Sequence, residues 1–200
     1  PVDSDGFRCL DWRYASPKAI GLDWGLQETA IVLGSLERES IGVGGFLGIL
    51  HHEQLVGTMT AEVARRLDAL HAQFSPSGDP IPVYADSSHP YNNIELRQRG
   101  FEVVEVQFQR YKDTGIGNLQ RYFEFERIRI PEDFRVLIRQ LEGYRYGKDG
   151  KPVKENDHGP DAMLCMALHF PFLDTFPEDV FGAENVAGQE SNQTDEVLII

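Results

Sequence analysis

Apolar positions along this chain repeat with two different periods, and the alternation between them predicts its elements. Residues 19–23 form a short apolar run that reads as a buried strand, and residues 29–34 read as a second strand returning beside it. Residues 41–52 are rich in glycine and β-formers, which predicts a third antiparallel strand with bulges. At Thr60 the period becomes helical. Thr60 is placed to cap the helix and Glu62 and Val63 fall early in it. Ala61, Ala64, Leu67, Leu70 and Phe74 then follow at helical spacing until Ser75-Pro76 stops it. Residues 81–85 give a short apolar strand feeding Asp86, residues 92–99 a helix stopped by Gly100, and residues 101–106 another strand.

The second half continues the alternation. Residues 117–125 look helical, and 127–130 form a brief strand before Pro131. Residues 132–142 make an amphipathic helix with Phe134, Leu137, Ile138 and Leu141 inward. Residues 144–153 read as a hairpin turning at Lys148-Asp149-Gly150. Residues 160–170 are apolar almost all round, which predicts a helix buried against a sheet. Three strands, a helix, then alternating strands and helices imply an α/β domain. Its mixed central sheet is an antiparallel meander followed by parallel strands, flanked by helices.

Two hundred residues suit one domain with a substantial core. Residues 1–17 read as a lead-in or linker ending in Ser16-Pro17, residues 18–173 as the domain, and residues 174–200 as an acidic, unpatterned tail expected to be mobile. There is no apolar run long enough to span a membrane and no signal peptide. The chain starts at Pro1 without a Met, which predicts a processed product or a piece of something longer. Cys9 and Cys165 are the only cysteines, too few for a disulfide framework or a zinc site, which fits a reducing compartment. Cys165, within an apolar stretch, reads as a buried thiol.

A net charge of −13 argues at first against a nucleic-acid partner. Its distribution changes the picture. The tail holds seven acids (174, 178, 179, 184, 190, 195 and 196) and no Lys or Arg, whereas from Arg97 to Lys154 thirteen basic residues face nine acids. Arg110, Lys112, Arg145, Lys148, Lys151 and Lys154 are the candidate contacts to a DNA backbone, with Arg121 beside them. Each taken singly is better explained as a solvated surface charge. Tyr144 and Tyr146 alternate with Arg145 and are best read as packing on the sheet.

Three segments put an aspartate where an apolar run ends: Leu22-Asp23-Trp24-Gly25, Tyr84-Ala85-Asp86-Ser87 and Asp157-His158-Gly159-Pro160-Asp161. Asp23 and Asp86 close strands, where a sheet delivers side chains to a ligand crevice. The plain alternative for Asp23 is a turn aspartate, and for Asp86 a helix cap. Pro160 suits the first helical position, which puts Asp161 in the first turn, where the helix dipole favours an anion. Asp157 reads as the cap, with His158 and Asp161 sharing a face if the turn extends back. His89 reads as a loop or capping residue. Taken together, three converging carboxylates suit two divalent ions, Mg²⁺ or Mn²⁺. Asp23, Asp86 and Asp161 are then the ligands and Asp157 a further candidate. His158 would orient water or shuttle a proton. The absence of thiolates argues against zinc.

These motifs, in this order and at these spacings, resemble those of the nuclease domain of tailed-phage terminase large subunits, which has an RNase H-like (RuvC/integrase-type) fold. The resemblance covers roughly residues 18–170 and includes Lys112-Asp113-Thr114-Gly115-Ile116 and the 144–154 hairpin. It implies a metal-dependent endonuclease cutting concatemeric double-stranded DNA during genome packaging in the host cytoplasm. Asp23, Asp86, Asp161 and His158 would be catalytic, and the hairpin would lie near the DNA path. It also implies a terminase ATPase domain, a small terminase subunit and a portal as partners. No G-x-x-x-x-G-K-[ST] occurs, so this chain could cut DNA but not power its translocation.

Two other classes compete. An actin-like or sugar-kinase ATPase would also place Asp-x-Gly after its first strand, as Asp23-Trp24-Gly25 does, but Asp86-Ser87-Ser88 lacks the glycine of a second phosphate loop. A catalytically silent binding module would use the aspartates as caps and the acidic tail as its working part.

Overall fold

The strand Lys18–Trp24 (β1) is buried except at Lys18 and Asp23, because it lies inside a sheet covered on both faces. The structure is a computed structural model that describes residues 17–25, 27–37, 45–57, 59–148 and 152–172. Cys9 and the lead-in before Pro17, residues 41–44 of the expected third strand, Asp149, Gly150 and Lys151 of the hairpin, and the acidic tail lie outside the described residues.

The remaining strands are Glu28–Glu37 (β2), Phe46–Val56 (β3), Val83–Asp86 (β4), Val103–Val106 (β5) and Ile128–Arg129 (β6). The helices are Thr60–Phe74 (α1), Pro90–Gln98 (α2), Phe108–Glu124 (α3), Arg135–Gly143 (α4) and His158–Ala167 (α5). Spatially the sheet runs β5-β4-β1-β2-β3-β6. β1, β2 and β3 pair antiparallel, whereas β4 joins β1, β5 joins β4 and β6 joins β3 in parallel. This is the mixed sheet, an antiparallel meander followed by parallel strands, that the sequence predicts. The expected bulge is present too: Leu33 faces His51 but Gly34 faces Ile49, so Leu50 is the extra residue on β3.

Strand alternation divides the core in two. Ile20, Leu22, Ile31 and Leu33 pack under one layer with Val63, Leu67 and Leu96 of α1 and α2. Ala19, Ala30 and Val32 face the other layer, with Ile116, Leu137, Met163 and Met166 of α3, α4 and α5. All but the first residue of α5 are buried, as its apolar composition requires. The floor beneath it is small. A Cβ on Gly21 would fall 1.8 Å from the Ala162 carbonyl oxygen, so only glycine lets β1 and α5 come this close. That contact brings the first turn of α5 to the end of β1.

Local differences from the sequence reading have identifiable causes. α1 takes Met59 as its N-cap with no side-chain capping bond, so Thr60 begins the helix rather than capping it. Ala61 is exposed and Val63 is buried in its stead. α3 starts at Phe108, nine residues before the expected 117, running through Gly115 and Gly117. Two glycines are costly in an isolated helix. Here Gly115 lies against Leu164, 3.3 Å from where a Cβ would be, and packing against α5 outweighs propensity. α5 starts at His158, so Pro160 is its third residue, not its first.

Candidate active site

Asp23 and Asp86 point to the same face of the sheet. On β1, residues 19, 21 and 23 turn toward α5, and on β4 Tyr84 and Asp86 do so. β1 and β4 are parallel neighbours, so both strands deliver their last acidic residue to one edge. Asp161, in the first turn of α5, lies above that edge. All three line one open cleft of about 1140 Å³. Asp157, His158, Lys112, Asp113, Ser88, His89 and Lys154 line it too.

Each acid has its own partner. Asp23 Oδ2 lies 2.7 Å from His158 Nδ1. That hydrogen bond raises the His158 pKa above the ordinary imidazole value, although partial burial works against it. Asp86 accepts from the Ser88 backbone N–H at 3.1 Å and from the Ser88 hydroxyl. Asp161 is 7% exposed, and both of its oxygens accept from Lys112 Nζ at 3.0 Å. The Tyr144 hydroxyl donates to Asp161 Oδ1 at 2.9 Å. Burial pushes the Asp161 carboxyl up to about 6 despite Lys112, with the nearby Asp23 and Asp157 charges adding to the rise. Beneath the cleft, Cys165 is fully buried, and burial keeps its thiol well above the usual range. The charges of Asp23, Asp86 and Asp161 add to that shift.

The site is braced by residues that sequence reasoning did not select. Trp24 is buried and donates its indole N–H to Asn93 Oδ1 at 2.8 Å. Asn93, fully buried, donates in turn to the Asp86 backbone carbonyl at 3.0 Å. This chain ties the end of β1 to the end of β4 through α2. Only the polarity of Asn93 in an otherwise ordinary helix could have signalled it. Tyr144, expected to pack on the sheet, puts its ring in the apolar layer and its hydroxyl on Asp161.

Other expected residues fall as follows. Asp157 occupies the N-cap position of α5, but its side chain makes no capping bond. His89 is the N-cap of α2, again without a side-chain capping bond, and its Nδ1 lies 3.0 Å from the Ser88 hydroxyl. Arg110 is exposed in the first turn of α3, and Lys148, Arg145 and Lys154 are exposed around the hairpin. There Tyr146 bridges Pro152, and the Val153 N–H donates to the Arg145 carbonyl. Lys112 is not offered to solvent, since its amine is committed to Asp161.

Among the described residues no three His, Cys, Asp or Glu side chains stand together as a ready metal cluster. Ser88, Lys112 and His158 each hold one acid instead. The donor chemistry nonetheless suits a hard divalent cation. The acids supply only carboxylate oxygens, and Asp161 keeps its carboxyl in a buried, acid-rich position where a cation would relieve the repulsion.

No known family model matches the sequence, and no curated protein matches it significantly. Solved structures do. The large terminase nuclease of thermophilic phage G20c superposes with a TM-score of 0.61 at 20% identity, covering 81% of this chain and 86% of that one. The P22 large terminase nuclease domain gives 0.58 at 16% identity, covering 82% and 86%. The nuclease domain of the SPP1 large terminase, solved with bound Mn, gives 0.55 at 18% identity, covering 76% and 85%. The G20c nuclease has also been solved with bound zinc and with bound cobalt. At these identities the likeness is one of fold. The fold is that of the large terminase nuclease domains.

Proposed function

We propose that this chain is a divalent-metal-dependent endonuclease that cleaves double-stranded DNA during phage genome packaging. The observation that carries the reading is that Asp23, Asp86 and Asp161, from two parallel strand ends and a helix start, line one cleft. Asp23, Asp86 and Asp161 would hold Mg²⁺ or Mn²⁺, two ions in all, with Asp157 as a further ligand. When bound, such ions supply an activated water and charge to stabilise the leaving 3′ oxygen. The fold neighbours solved with bound metals support this assignment.

The chain's own residues have the remaining tasks. His158, held by Asp23 at Nδ1, is kept protonated to higher pH than an ordinary histidine and leaves Nε2 to move a proton at the cleft. Arg110, Arg145, Lys148, Lys154 and Lys151 would steady the DNA backbone in a salt-sensitive, sequence-independent manner. An ATPase domain, a small terminase subunit and a portal would be its partners in the infected cell's cytoplasm. Among the described residues no helix is long and apolar enough to cross a membrane.

The test is nicking and linearisation of supercoiled plasmid in Mn²⁺ or Mg²⁺ by the wild type and by Asp23→Asn, Asp86→Asn and Asp161→Asn. Cleavage by wild type, lost in all three folded variants, is the expected result. Intact plasmid across metals and concentrations sinks the reading, and ATP turnover in its place would favour the actin-like class.

A further inference from the structure

Asp161 is already held by a cation that belongs to the chain. Lys112 Nζ lies 3.0 Å from Oδ1 and 3.0 Å from Oδ2, so one amine spans both oxygens. The Tyr144 hydroxyl takes a further position on Oδ1. A carboxylate offers about four lone-pair positions. These three hydrogen bonds therefore leave roughly one, on Oδ2. The amine is itself well seated, 4.8 Å from the centre of the Phe108 ring and 5.6 Å from that of Tyr144. Phe108 stands one helical turn before Lys112 on α3, so the same helix supplies the amine and its apolar seat.

We propose that Lys112 is a built-in competitor of the divalent cation at Asp161: it holds the carboxylate in place, leaves the ion one open position on Oδ2, and opposes the ion with its own positive charge. The inference rests on the active-site reading above. Two effects act in the same direction. An ion at the open Oδ2 position has to approach a fixed positive charge in a partly buried site, and one held by both oxygens has to displace a charge-assisted bond as well. Both weaken binding. A lysine that served only to orient Asp161 would have the opposite effect, since its loss would let the carboxylate wander and lower the affinity. The direction of the change separates the two roles.

The experiment is Mn²⁺ titration of the full chain, following the free-ion signal by electron paramagnetic resonance, for wild type, Lys112→Gln, Lys112→Arg and Asp161→Asn. Lys112→Gln should bind Mn²⁺ more tightly, on the order of tenfold, the change expected from removing one positive charge close to the ion. Lys112→Arg keeps the charge and the donors and should bind no more tightly than wild type. The rise in melting temperature on adding Mn²⁺ should be larger for Lys112→Gln than for wild type, which also shows that the variant is folded. Equal or weaker binding by folded Lys112→Gln, with wild-type binding that Asp161→Asn removes, overturns this inference alone. Wild type that takes up no Mn²⁺ overturns it together with the active-site reading.

Discussion

The Tyr144 hydroxyl donates to Asp161 Oδ1 at 2.9 Å, joining the segment after α4 to the first turn of the buried helix α5. Burial and the Asp161 charge hold the phenol protonated far above the ordinary tyrosine range, so it acts only as a donor here. The bond stabilises the charged form of Asp161. Tyr144→Phe should therefore raise the Asp161 pKa above about 6. The pH at which Mn²⁺ binding is half lost should move up by about half to one unit, at a stability cost of about 1–2 kcal/mol. Mn²⁺ titration across pH checks the first effect and urea denaturation the second.

The Trp24–Asn93–Asp86 chain gives a second prediction. Asn93→Ala removes the acceptor for a buried indole N–H and the donor to a backbone carbonyl. Leaving a buried polar group without a partner costs about 1–3 kcal/mol. The variant should melt several degrees lower and cut more slowly, because the ends of β1 and β4 lose their tie. Asn93→Asp keeps an acceptor for Trp24 but buries a carboxylate against the Asp86 carbonyl, so at neutral pH it should be at least as destabilising as Asn93→Ala.

Glycine substitutions should diverge by position. A methyl at Gly21 would meet the Ala162 backbone oxygen at 1.8 Å, and neither backbone can retreat without unseating α5. Gly21→Ala should cost about 3 kcal/mol or more and abolish activity. Gly117, inside α3, has nothing within 4 Å of an added Cβ. Gly117→Ala should stabilise by about 0.5–1 kcal/mol through helix propensity. Thermal melts of both variants measure the contrast.

The pH dependence follows from two raised pKa values. Burial lifts Asp161 to about 6, so between an unfolded aspartate near pH 4 and that value the native state binds more protons than the unfolded state. Stability from this group therefore falls as pH rises through that window. His158, raised by its bond to Asp23, acts with the same sign. Its contribution is full below about 6.5 and is lost as pH rises through its higher folded value. The proposed cation capture would run the other way, since it needs an ionised Asp161, so Mn²⁺ binding should weaken as pH drops below about 6. Melting temperatures with and without Mn²⁺ from pH 4.5 to 7.5 should diverge as pH rises. In Asp161→Asn the Mn²⁺-dependent part should vanish.

The elements were legible where short-range pattern decides them. Residues 19–23 read as a buried strand and emerged as the centre of the sheet, because a run apolar on both faces can only lie between two layers. Ser75-Pro76 ended α1, and Gly100, at φ 97°, follows the end of α2, each for a backbone reason visible in the residue itself. The start of α3 was not legible. Gly115 and Gly117 argue against a helix locally, and only the contact of Gly115 with Leu164 shows why one is formed. The N-terminal turn of α5 was misplaced because Pro160 is tolerated anywhere in a first turn, where the missing N–H has no intrahelical partner to lose.

By itself, the sequence determined which residues end strands, which helix is apolar all round, and therefore that Asp23, Asp86 and Asp161 stand at or near element ends. These are consequences of periodicity and turn chemistry, which act over a few residues. Only the tertiary structure decided what each acid touches. Asp23 meets His158 across 135 residues, Asp161 meets Lys112 across 49, and Asp86 settles on its own neighbour Ser88. Such pairings depend on how closely α5 approaches β1 and on where α3 runs, and both are set by the volume of side chains distant in the chain. The charge pattern announced a site, and packing chose its partners.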